Sequence, residues 1–252
     1  TYEIIGQPLV SIVIPNKDHI GDLDVCIRSI QKKTDYKNYE IVVVENNSTE
    51  KETFEYYEQL REQENVRVII WDKEFNYAAI NNYGASFATG DYYVLMNNDI
   101  EVITPQWMEY MLGYCQRENT GMVGAKLYYP DDTVQHCGVV IGGGGFAGHI
   151  LTRTGREDSG YFGRLKAIQD ISAVTAACLM IKKTTFDAIG GLDEEFQVAL
   201  NDVDLCLKVR AHGELVVENP MVEMYHYESK SRGMEDSKEK HERFKREIAR
   251  FR

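Results

Sequence analysis

The stretch "YYVLMNNDIEV", residues 92–102, decides how the rest of the chain is read. Tyr92 to Met96 are apolar or aromatic, with no alternation. That pattern fits a strand covered on both faces, as in a parallel sheet between layers of helices. The run then meets Asn97, Asn98 and Asp99. A dry, unpaired carboxylate costs on the order of several kcal/mol, so Asp99 is expected at the strand's end with a partner of its own. The residues alone leave two partners equally open. Asp99 either binds a divalent cation, in a site completed by substrate phosphates and water, or caps the turn ahead of Pro105. Glu101 would share its face if the strand resumed.

Upstream the same grammar repeats. "LVSIVI" (9–14) reads as a first strand stopped by Pro15, and "LDVCIRSIQKKT" (23–34) as a helix. "YEIVVVENNS" (39–48) is a second strand running into a polar turn, and "KETFEYYEQLREQE" (51–64) a charged amphipathic helix. "VRVIIW" (66–71) is a third strand, and "NYAAINNYGASFATG" (76–90) a helix closed by Gly90. Such alternation predicts right-handed βαβ units and a parallel sheet, whose ligands bind beyond the carboxyl ends of the strands. Three strand ends carry polar clusters: "PNKD" at 15–18, "ENNS" at 45–48 and "NND" at 97–99. Apolar strands account for the sheet but not for three polar clusters along one edge.

The chain has 252 residues, 43% of them hydrophobic, enough for one large α/β domain or two small ones. No internal repeat or Pro- or Ser-rich linker divides it, so one compact domain is expected over residues 1–227. A formal charge of −12 argues against nucleic acid as a partner. It permits a metal-bridged nucleotide, where the ion supplies the positive charge. The five cysteines are odd in number and lack a C-x-x-C pair, which suits reduced core thiols and a cytosolic setting. No apolar run has the length to cross a bilayer and no signal peptide is visible. The first residue is not Met and the last stretch is charged and helix-like, as in a domain cut from something longer.

The second half is less regular. "PQWMEYMLGYCQRE" (105–118) reads as a helix, "GMVGAKLYY" and "TVQHCGVVI" as strands, and "ISAVTAACLMIKK" (171–183) as the most strongly buried strand. "NDVDLCLKVRAHG" (201–213) is a short helix in which Asp202 or Asp204 serves as an N-terminal charge, or one of them faces a cleft as a general base. Gly143, Gly145 and Gly148 fit G-x-G-x-x-G, but a dinucleotide fingerprint follows the first strand and opens a helix. "HILTRTGRED" does not continue as one, so a dehydrogenase is rejected and 142–164 is expected as a mobile loop over a site. No G-x-x-x-x-G-K-[ST] occurs. His226 ends an apolar run just ahead of Ser229, Ser231 and Arg232; His212 suits a helix C-terminus; His136 and His149 flank the glycine loop with no role assigned. The tail, 228–252, has nine Lys and Arg against six Asp and Glu, with Phe244, Ile248 and Phe251 in a narrow stripe. It is expected as an exposed helical extension leading to a flanking region.

Together "VSIVIPNKD", "YEIVVVENNS", "NYAAINNYGASFATGDYYVLMNNDIEV", "ISAVTAACLMIKK", "GGLDEEF", "NDVDLCLKVR" and "YHYESKSRG" resemble, in order and spacing, a family-2 glycosyltransferase of the GT-A fold. The likeness runs from about Val10 to Gly233 and is nearest to the bacterial surface-polysaccharide branch, with its rhamnosyl- and galactosyltransferase domains. It implies a Rossmann-like, mostly parallel central sheet flanked by helices, with a smaller mixed or antiparallel portion on the acceptor side.

The resemblance also implies roles. "NND" stands where the family has D-x-D, which makes Asp99 a ligand of Mn²⁺ or Mg²⁺, with His226 a second ligand. Asn97 replaces the first acid of that motif, and Asn98 lies between. Pro15, Glu45 and Asn46 would line the nucleobase and ribose pocket. Asn76 and Asn82 match asparagines of the preceding helix, and Lys230 and Arg232 would meet phosphate. Asp202 aligns with the catalytic base, preceded by Asn201 where many members have an acid. The implied activity is metal-dependent, inverting transfer of a hexose or deoxyhexose. The sugar passes from a nucleotide-diphospho-sugar to a hydroxyl of a saccharide or lipid-linked acceptor, in cell-surface polysaccharide synthesis. The expected location is the cytosol, with peripheral contact at the inner membrane face through flanking regions. Two alternatives stand beside it: a catalytically inactive carbohydrate- or nucleotide-sugar-binding domain of a larger synthase, and a sugar-1-phosphate nucleotidyltransferase.

Overall fold

The computed structural model describes residues 2–142, 146–227 and 238–251. Strands β1 (Val10–Asn16), β2 (Tyr39–Glu45), β3 (Val66–Ile70) and β4 (Tyr92–Met96) are the runs expected from sequence. They lie parallel in the order β4-β1-β2-β3. Val10 sits opposite both Tyr39 and Tyr92, so all three strands start level and deliver their polar ends to one edge. Pro15 does not stop β1. It lies past the last β1–β4 pair, Val13 with Leu95, where a missing N–H leaves no bond unmade on that side.

Helices α1 (Ile20–Lys33), α2 (Lys51–Arg61) and α4 (Trp107–Cys115) bury Leu23, Ile27, Leu60 and Met111 on one face of the sheet. Helices α3 (Tyr77–Phe87) and α6 (Asn201–Ala211) bury Ile80, Leu205 and Val209 on the other. Gly84 sets how closely α3 sits. A Cβ there would fall 2.4 Å from a Val13 methyl and 2.8 Å from one of Val44.

Three strands of the second half widen the sheet: β6 (Thr120–Tyr128), β11 (Cys178–Lys182) and β12 (Leu215–His226). β11 runs antiparallel between β4 and β6, and β12 parallel to β6. Short β5 (Ile100–Val102) pairs antiparallel with the end of β12, placing Ile100 opposite His226. β7 (Val134–His136) pairs with β6, while β8 (Val139–Ile141) and β9 (Ala147–His149) form a hairpin with Val139 opposite His149. Gly148 of the glycine motif thus lies in a strand and no helix follows it; Gly143 and Gly145 lie outside the described residues.

Two expectations need correction. Residues 171–177 are not strand; only Cys178–Lys182 is. The backbone N–H groups of Thr175 and Ala176 point to side chains, His136 Nε2 at 3.4 Å and Asp202 Oδ2 at 3.3 Å. An apolar run does not by itself tell a buried strand from a buried irregular segment. The tail is not a free helix either. Helix α7 (Lys238–Phe251) packs Ile248 and Phe251 against the core beside α3 and α6 and buries Glu247. No described helix is long and apolar enough to cross a membrane.

Candidate active site

The polar strand ends open into a cavity of about 1080 Å³. Pro15, Asn46, Asn97, Asn98, Asp99, Asp202 and His226 all line it. β1, β2 and β4 bring the first five there simply by ending level. β5 does the rest: its pairing with β12 holds the Tyr227 N–H 3.0 Å from the Asp99 carbonyl. The His226 ring thereby meets Asp99, with Nε2 3.2 Å from Oδ1. Both residues are over nine-tenths buried.

The tautomer of His226 follows from its neighbours. Nδ1 lies 2.6 Å from Gln135 Oε1, an acceptor, so Nδ1 carries the proton. Nε2 then presents its lone pair toward Asp99, and the Asn97 amide donates to it from 3.2 Å. A carboxylate oxygen beside an imidazole lone pair, with the other ring nitrogen pinned by a fixed acceptor, is a donor set that suits a divalent cation. Among the described residues no third His, Cys, Asp or Glu joins the pair. A cation here would draw its remaining ligands from substrate and water.

Asp202 stands in the first turn of α6, which Leu200 enters in the left-handed conformation at φ 63°. Its Oδ1 accepts the Val203 N–H at 2.8 Å and its Oδ2 the Ala176 N–H at 3.3 Å. These bonds aim a half-buried carboxylate across the cavity from Asp99 and His226. Asp204 lies off the cavity; burial raises its carboxyl above the usual range, against the pull of Lys208. Of the two acids, Asp202 is the one that lines the cavity. Asn201 donates to the carbonyls of Val198 at 2.9 Å and Phe196 at 3.4 Å, shaping the turn into α6.

Other expected donor contacts sit elsewhere. Glu45 is buried beneath its own loop, where Oε1 accepts the Ser48 N–H at 2.5 Å and Oε2 the hydroxyls of Ser48 and Tyr57, both at 2.6 Å. It does not line the cavity. Asn76 caps α3, accepting from the Ala79 N–H at 3.0 Å and donating to the Glu194 carbonyl. Asn82 exchanges bonds with both backbone groups of Leu192, at 2.9 and 3.0 Å, and so clamps the "GGLDEEF" turn onto α3. Asn46 keeps its place at the wall while its amide donates to the carbonyls of Trp71 and Lys73. Lys230 and Arg232 lie outside the described residues.

The sequence missed a second wall. Gln135, His136, His149, Arg153 and Tyr129 line the cavity from the β7–β9 region. His136 and His149 face each other with their Nδ1 atoms 2.9 Å apart, and fully buried Glu218 lies 3.4 Å from His136 Nε2. Enclosure of the His149 ring comes first in holding it well below the usual histidine range, followed by the His136 and His226 imidazoles. Arg153 stacks on Tyr129, its guanidinium 3.8 Å from the ring centroid. One signal was present: Gln135 and His136 are consecutive polar residues inside an otherwise apolar strand.

Comparison with known proteins identifies the family. The chain is 51% identical over 245 residues, 96% of its length, to a protein of Sinorhizobium fredii (strain NBRC 101917 / NGR234) known as uncharacterized protein y4gI. It is 40% identical over 232 residues, 92% of its length, to the O-antigen biosynthesis protein RfbC of Myxococcus xanthus. It spans only 27% and 18% of those two proteins. In fold it is similar to the mannosyltransferase PcManGT of Pyrobaculum calidifontis, solved with GDP-Man and Mn²⁺ (TM-score 0.68, 14% identity, 92% of this chain and 61% of that one). It is also similar to GalNAc-T7, solved with UDP, GalNAc and Mn²⁺ (TM-score 0.73, 16% identity, 92% and 45%). The family model for glycosyl transferase family 2 matches residues 11–189, most of the sheet and its helices. The chain belongs to glycosyltransferase family 2, with the GT-A fold.

Proposed function

We propose that this glycosyltransferase domain is an inverting, divalent-cation-dependent enzyme, with Asp202 as its base and Asp99 and His226 as its cation ligands. One observation carries the reading: two carboxylates and an imidazole, widely spaced along the chain, face a single cavity at the carboxyl edge of the sheet. A nucleotide-diphospho-sugar would lie across the ends of β1, β2 and β4, with Pro15 and Asn46 on its nucleoside side and Asn97 and Asn98 beneath its diphosphate. A Mn²⁺ or Mg²⁺ ion held by Asp99 and His226 would supply positive charge against the departing diphosphate.

Asp202 takes the proton from an acceptor hydroxyl. That oxygen bonds to the anomeric carbon as the bond from this carbon to the β-phosphate oxygen breaks on the opposite face. One displacement inverts the centre. The wall of His149, Arg153 and Tyr129 faces the acceptor, a saccharide or a lipid-linked saccharide of surface-polysaccharide synthesis. The relative named for O-antigen biosynthesis supports that setting. Asn201 is no mark of an inactive domain, because its amide holds the turn that presents Asp202.

The test is a panel of UDP-, GDP- and dTDP-hexoses and deoxyhexoses with Mn²⁺. A bound donor raises the melting temperature further the more tightly it binds, and one nucleotide should stand out. With that donor, Asp202→Asn should lower transfer by ~10²–10⁴-fold, the usual contribution of a general base, while donor affinity stays unchanged. Full activity in that variant removes the base assignment.

A further inference from the structure

Helix α7 carries a carboxylate that its surroundings do not explain unless it acts on α6. Glu247 is only 3% exposed, on a helix whose neighbouring Arg246 and Arg250 are exposed. A buried carboxylate needs donors. Glu247 finds two, the backbone N–H groups of Val198 at 3.0 Å and Ala199 at 3.2 Å. These are the last residues before Leu200, the left-handed entry to α6, and Asp202 follows two residues on.

The same short segment is held from two further directions. The Gln197 carbonyl accepts the Tyr77 N–H at 2.8 Å, and the Val198 carbonyl accepts from the Asn201 side chain at 2.9 Å. Val198 itself lines the cavity. α7 reaches across both loops that flank the site. Phe244 meets Phe146 of the glycine-rich hairpin edge-on at 5.9 Å, and Arg250 pairs with Asp193 of the "GGLDEEF" turn at 2.9 Å. Arg243 extends from it into the cavity wall.

We propose that Glu247 is a positioning residue for Asp202, and that α7 is the brace which fixes the base-bearing turn. The proposal rests on the role of Asp202 put forward above. Without the carboxylate, two N–H groups lose their acceptor and the 198–200 backbone is free to shift. A misplacement of about 1 Å at a reacting group can cost ~10²-fold in rate. The donor side is built on β1, β2 and β4, which Glu247 does not touch, so donor binding should not change.

The experiment measures kcat and donor KM for Glu247→Ala and Glu247→Gln. It uses whichever donor of the UDP-, GDP- and dTDP-sugar panel the unaltered protein turns over with Mn²⁺. Lys245→Gly, at an exposed position of α7 whose ion pair is with Glu242 of the same helix, serves as a control that loosens the helix without touching the turn. Glu247→Ala should lose ~10–100-fold in kcat at unchanged KM. Glu247→Gln, which keeps one acceptor oxygen, should lose less, and it decides the matter if the alanine variant does not fold. Lys245→Gly should lower the melting temperature and leave kcat alone. Unchanged kcat in the Glu247 variants overturns the proposal, as does a loss in Lys245→Gly equal to that in Glu247→Ala. If the unaltered protein turns over no donor, the transferase reading itself fails, and this inference with it.

Discussion

The ends of β2 and β4 look alike in sequence and do different work. Each closes a buried parallel strand with one acid and two asparagines, Glu45-Asn46-Asn47 in one and Asn97-Asn98-Asp99 in the other. At β2 the chain turns at once into the loop before α2, and Ser48 lies three residues on. Glu45 is satisfied by that loop and by Tyr57, with bonds of 2.5–2.6 Å, and it faces away from the cavity. At β4 a tight turn through Asn98 and Asp99 leads straight into β5. Asp99 instead meets His226, brought from the far end of β12. An acid at a strand end is thus no sign of a site until its local donors have been counted. A Ser or Thr three residues on is a reason to expect local capture; an immediate return to apolar strand is a reason to expect a distant partner.

Substitutions at the two ends put this contrast at risk. Asp99→Ala should show the largest effect, abolishing the part of donor binding that Mn²⁺ adds and that a chelator removes in the unaltered protein. Isothermal calorimetry with the panel's best nucleotide, with and without Mn²⁺, reads it; unchanged affinity would put the cation elsewhere. Gln135→Ala should act one step removed. It frees the His226 ring from its Nδ1 acceptor, and such supporting contacts typically account for ~10–100-fold in metal affinity. A Mn²⁺ titration followed by donor binding measures it, and an unaltered titration would deny His226 a role as ligand. Glu45→Gln should do least to function. Donor binding should hold, while chemical denaturation should show a loss of ~1–3 kcal/mol from disturbed buried hydrogen bonds. If this variant instead lost donor binding at full stability, the two strand ends would be functional equals.

Much of the architecture was legible because it is written locally. Unbroken apolar runs marked β1, β2 and β4 as covered on both faces, helical spacing marked α1 and α3, and their alternation implied parallel order. Asp99, Asp202 and His226 were each visible as chemistry at the edge of an element. What misled was equally local. Residues 171–177 are as apolar as a strand, yet the N–H groups of Thr175 and Ala176 serve His136 and Asp202. Asn76 and Asn82 sit beside the site in the chain but spend their amides capping α3 and clamping the turn at Leu192.

The sequence by itself determined the parallel α/β sheet, the edge at which its polar residues would gather, and the family to which the chain belongs. Periodicity and strand-end composition are read between near neighbours, and the chain supplies those directly. Only the tertiary structure decided that Asp99 faces His226, that His136 and His149 turn toward that pair as a second wall, and that Glu247 reaches the turn before Asp202. Each of these depends on a pairing or packing between segments far apart in the chain. Such a contact leaves no periodic trace in either segment, because its partner is chosen by geometry rather than by spacing.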